Sequence, residues 1–135
     1  MSYLRHTILI LDDSTPNDGD VVGNEFTVIP SDLDDVSDAN QKWHVLVSAT
    51  QSGGVTSPTT DVGIETSFDG GTTWFGVAGA TQLTGDGGAP ELLDLKALGP
   101  RVRASKKLGG GTKPNSTAVV RLASNGLFKA ADTGA

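Results

Sequence analysis

The chain has 135 residues and a mass of 13.8 kDa, enough for one domain and its core but short for two. Only 5% of residues are aromatic, there are 18 glycines and 6 prolines, and no cysteine occurs, so long-helix bundles, disulfides, thiol catalysis and cysteine-ligated metal sites are excluded. A net charge of −6 argues against nucleic acid as the main partner, and no apolar run is long enough to span a membrane as a helix.

In chain order, the first predicted strand is Thr7–Leu11, whose apolar run with Ile8 and Ile10 suits addition to the sheet edge of another subunit. The stretch Asp12-Asp13-Ser14-Thr15-Pro16-Asn17-Asp18-Gly19-Asp20 invites calcium, but the ligand spacing of an EF-hand is absent, and a solvated turn is expected. After a strand at Phe26–Ile29, Ser31 with Asp32, Asp34 and Asp35 resembles a capped helix start, so one short helix is allowed to about Gln41.

The clearest strand is Trp43–Thr50, with Trp43, Val45, Val47 and Ala49 on one face. Another is Asp61–Phe68, with Val62, Ile64, Thr66 and Phe68 together. Weaker strands follow at Thr73–Val77, Leu92–Leu95, Arg101–Ser105 and Thr117–Ala123, separated by glycine-rich turns. The resulting fold class is all-β: a single antiparallel β-sandwich or jelly roll of about eight strands with at most one short helix. It divides into an acidic segment 1–40 that is available for inter-subunit contact, a core 41–128, and a tail 129–135 with nothing to bury.

Charge is distributed unevenly. Residues 1–40 hold nine acids against one base, whereas residues 96–129 hold eight bases and no acid. Either the two halves attract each other within one fold, or Arg101, Arg103, Lys106, Lys107 and Lys113 form a patch for a neighbour. His6 and His44 are too few to build a zinc site without carboxylates, and no nucleophile elbow, phosphate loop or dinucleotide fingerprint is present. Catalytic residues, metal and cofactor are therefore all expected to be none. The first six residues lack the hydrophobic segment of a signal peptide, so synthesis in a cytosol is expected.

Ser67-Phe68-Asp69-Gly70-Gly71-Thr72-Thr73-Trp74 resembles the Asp-box, Ser-x-Asp-x-Gly-x-Thr-Trp, of sialidases and other propeller proteins. The resemblance implies a structural hairpin: Asp69 accepts turn amides, the glycines take positive φ, Ser67 and Thr73 belong to the turn, and Trp74 packs back under it into the core. A sugar-contacting Trp74 is the alternative. From Trp43 to Ala123, including Leu92-Leu93-Asp94-Leu95 and Leu98-Gly99-Pro100-Arg101-Val102-Arg103, the pattern is similar to small β-sandwich proteins of tailed-bacteriophage structural modules, among them capsid decoration or cement proteins. That resemblance implies a non-enzymatic virion protein on the capsid exterior, a homo-oligomer whose partners are the major capsid protein and copies of itself. Leu98–Arg103 also looks like a strand of carbohydrate-binding jelly rolls, which makes a glycan-binding module on a virion or other particle the second expectation.

Overall fold

A computed structural model describes residues 5–30, 42–53, 57–110 and 114–134. The short helix expected after Ser31 and the residue Lys113 lie outside them. Among the described residues there are nine strands and no helix: β1 (Arg5–Asn17), β2 (Val21–Val22), β3 (Glu25–Pro30), β4 (Trp43–Ser52), β5 (Thr59–Ser67), β6 (Phe75–Gly79), β7 (Glu91–Asp94), β8 (Arg101–Gly109) and β9 (Asn115–Gly134). All pairings are antiparallel, and two sheets pack face to face as a β-sandwich.

One sheet is β1, the first half of β9, β4 and β7; the other is β6, β5 and β8 with β2 and β3. Strand β9 belongs to both. Residues 115–124 pair with β4 from Trp43↔Ser124 to Ser52↔Asn115, whereas residues 128–134 pair with β3. The change of sheet falls where β1 steps from Thr7↔Ala123 to Arg5↔Phe128, leaving four residues of β9 bulged between. Local hydrogen bonds hold this bend. Gly126 N donates to Ser124 Oγ at 3.1 Å, and Lys42 N donates to Asn125 Oδ1 at 2.7 Å. Beyond it Phe128 is fully buried, with its ring edge-on to Trp43 at 4.9 Å between centroids.

Period-two alternation explains most of the interior. Val45, Val47 and Ala49 of β4, beside Leu122, Val120 and Ala118 of β9, share one core with Val62 and Ile64 of β5 and Val102 and Ala104 of β8. The side chains are small, and among the described residues two rings, Phe26 and Phe128, are buried in this core.

Three expectations are corrected here. Phe68 is exposed, because β5 ends at Ser67 and the turn begins there. The stretch expected as a tail is strand through Gly134, with Ala130 buried opposite Val28 of β3, since even small side chains suffice when the backbone completes a ladder. The acidic Asp12–Asn17 stretch continues β1 along β9, with a register shift after Asp13 that accommodates Pro16.

Loops at one end are tied by a buried amide. Gln51 Nε2 donates to Pro58 O and Gly85 O at 3.3 and 3.2 Å, while its Oε1 accepts from Thr60 Oγ1 at 2.5 Å. Gly88 lies against the Ala49 carbonyl, where a Cβ would come within 2.0 Å, so only glycine fits.

Candidate functional site

The β5–β6 connection folds as the Asp-box resemblance implies. Asp69 Oδ1 accepts from Thr73 N at 2.8 Å, Thr72 N at 3.1 Å and Ser67 Oγ at 2.8 Å, while Ser67 Oγ accepts from Gly71 N at 2.9 Å. Gly70 and Gly71 supply the positive φ values, 78° and 97°. Gly71 also abuts Glu25 and Arg101, which a Cβ would approach to 2.9 and 3.0 Å. The hydrogen bonds from Thr73, followed by that from Ser67, lower the Asp69 carboxyl from 3.8 to about 2.

Trp74 departs from the expectation. Its ring does not enter the core; it lies at the surface with the Arg103 guanidinium 4.1 Å above its centroid, and its Nε1 donates to Gly71 O at 3.0 Å. Arg103 Nε in turn donates to Glu65 Oε1 at 3.0 Å. One face of the ring is therefore covered by a cation from the same chain.

The basic cluster is likewise divided by its own fold. Arg101 pairs with Glu25 at 2.9 Å, and Arg103 pairs with Glu65. Lys107 is exposed on the outer face of β8. Lys106 is the main correction: its side chain is fully buried, because period-two alternation along β8 sends it inward with Val102, Ala104 and Leu108. Its Nζ forms a 2.5 Å ion pair with Asp13 Oδ2. It also donates to Asn17 Oδ1 and Ser116 O, at 3.1 and 3.2 Å. The acidic and basic halves therefore attract within the fold, through Asp13, Glu25 and their cations.

Ile8 and Ile10 are also taken up internally. Ile10 is buried, Ile8 packs against the core, and β1 pairs with β9 of its own chain. His44 and Asp94 form a 2.8 Å pair that fastens β7 to β4, and His6 Nδ1 lies 3.3 Å from Ser124 O. Among the described residues no group of three or more metal-ligating side chains converges.

Several large apolar side chains also face outward. Leu46 and Leu92 are directly paired across β4 and β7, with Arg121 opposite Leu46 on β9. Leu46 is 37% exposed and Leu92 64%. With Pro90, Val119 and Glu91 they line an open depression of about 380 Å³ on the outer sheet face. Phe68 and Phe75, 59% and 54% exposed, line a second depression with Val77 and Lys96 at the hairpin end. Alternation alone suggests an outward Leu46, but a row shared between strands depends on register.

No family model matches this chain. No curated protein matches it either. Among solved structures it is similar to a chain in the structure of infectious bursal disease virus Gx strain, at 13% identity and a TM-score of 0.44. The match covers 99% of this chain and 37% of that one, so the chain spans little more than a third of its neighbour's length.

Two outcomes follow from this geometry. Lys107→Glu leaves the thermal midpoint unchanged, whereas Lys106→Glu places a second acid against Asp13 and costs roughly 3–5 kcal/mol, as read by denaturant unfolding; equal effects would contradict the division. For Asp69 the folded carboxyl lies at about 2, below its ordinary 3.8, so its contribution to stability is complete above 3.8 and is lost as pH falls through about 2. The melting-temperature gap between the wild type and Asp69→Ala is therefore open at neutral pH and closes over that acidic interval.

Proposed function

We infer that the chain is a non-enzymatic structural protein of a virus particle, a decoration or cement protein that binds the outside of a capsid and stabilises it. The observation that carries this reading is the apolar row Leu46–Leu92 on an open sheet face, rimmed by Glu91 and Arg121. A flat apolar patch with a charged rim is the form of a protein-binding surface, whereas catalysis calls for a desolvated cleft with converging titratable groups. The internal pairing of Arg101, Arg103 and Lys106 leaves the patch, rather than a cationic field, as the contact. Its partners on this reading are the major capsid protein and copies of the chain itself. A β-sandwich whose polar groups are tied internally suits a rigid clamp repeated over a shell, where many weak contacts add.

Carbohydrate binding is the second reading, and it rests on the exposed rings of Phe68 and Phe75 rather than on Trp74. The two depressions lie on different parts of the surface, so separate variants divide the readings. With particles that lack the protein, adding the purified chain raises their thermal midpoint, and Leu92→Glu lowers occupancy at least tenfold while the free protein melts unchanged. Full occupancy by Leu92→Glu, together with loss of glycan-array binding by Phe68→Ala/Phe75→Ala, would transfer the function to the second reading.

A further inference from the structure

The polar cluster between the sheets contains more than an ion pair. Lys106 Nζ is shielded from solvent, and the three groups around it come from β1 and β9. The Asn17 carboxamide is fixed in one orientation. Its Nδ2 donates to Asp13 Oδ1 at 2.7 Å and to Thr15 O at 2.8 Å, while its Oδ1 accepts from Gly19 N at 3.0 Å and from Lys106 Nζ at 3.1 Å. Turning the amide over would set donors against donors and acceptors against acceptors at each contact.

The arrangement combines an amine nucleophile, an acyl carbon whose oxygen is polarised by a backbone N–H, and a carboxylate that touches both the amine and the prospective leaving group. Asn17 Cγ lies one C=O bond beyond Oδ1, which puts it within about 4.3 Å of Nζ. Lys106 is fully buried, Asp13 and Asn17 are partly buried, and the three are held by a folded sandwich, so proximity and orientation replace an activated reagent.

We propose that Lys106 and Asn17 join in an intramolecular amide bond after folding, with Asp13 carrying protons and ammonia as the leaving group. The Asp13 carboxylate takes one proton from the Lys106 ammonium, and the freed lone pair attacks Asn17 Cγ. Charge that develops on Oδ1 is met by the Gly19 N–H. A second proton passes from Nζ by way of Asp13 to Nδ2, the Cγ–Nδ2 bond breaks, and ammonia departs with the remaining proton as ammonium. Nothing is oxidised or reduced, and no co-reactant is consumed. The product ties β1 to β8 across the two sheets, between residues 89 positions apart, in a chain that has no cysteine with which to form a disulfide. This covalent clamp is independent of the surface reading above.

The test is the mass of the purified full chain under denaturing conditions. The expected mass is about 17 Da below that of the sequence, one ammonia, with a branched peptide in the digest that joins the Asn17 and Lys106 segments. Lys106→Arg, Asn17→Ala and Asp13→Ala each restore the full mass. The wild-type measurement stands even where a variant fails to fold. Full mass in the folded wild type, with Lys106 open to amine labelling after denaturation, would overturn the proposal. So would a loss of about 18 Da that maps to an Asp13–Lys106 bond, because water rather than ammonia would then have left.

Discussion

Strand β9 is the constraint on which the sandwich depends. Its first half supplies a partner to both β1 and β4, its second half supplies one to β3, and β3 in turn reaches β8. Both sheets are therefore hydrogen-bonded through one continuous strand, and the bend at Ser124–Gly126 sets the angle at which they face each other. Phe128, immediately past the bend, fills the space between them, so the turn of the backbone and the filling of the core are one event. A core made chiefly of Val and Ala has little area per residue, and such a shared strand compensates by leaving few independent units that can open separately.

Electrostatics reinforces the same closure. Acids from the first 25 residues meet bases from β8 at Asp13–Lys106 and Glu25–Arg101, which join chain segments far apart in sequence. The half-buried Glu25 and Arg101 pair is still partly screened by solvent, whereas the enclosed Lys106 has no alternative partner in water and specifies one arrangement of β1 over β8. This internal use of charge also shapes the surface. With the cations engaged, the outward features that differ from ordinary polar sheet among the described residues are the Leu46–Leu92 row, the Phe68–Phe75 pair and the single Val22.

Much of this was legible in the sequence. Alternation placed β4 and β5 within two residues of their ends, and the Asp-box residues folded as their chemistry requires, since a carboxylate accepting turn amides is a local interaction. What failed was non-local. Lys106 reads as a surface base until the register of β8 turns it inward, and Asn17 reads as a turn residue until β9 extends the ladder past Pro16. Phe68 reads as part of the Val62–Ile64–Thr66 face only by continuing a period that the turn interrupts one residue earlier. Trp74 reads as a core residue by the Asp-box resemblance, yet a guanidinium and a carbonyl satisfy it at the surface. The bend in β9 left no sequence signal beyond Asn125-Gly126, a dipeptide that reads equally well as the end of a strand.

Native-state hydrogen exchange tests most directly whether the two sheets form one cooperative unit. If β9 and the Lys106 cluster join them, the core amides of β4 and β9 in one sheet and of β5 and β8 in the other share a single opening free energy, with a common dependence on denaturant. Exchange of the β5 and β8 amides at lower denaturant than those of β4 and β9 would show that the sheets open separately, and would contradict the account.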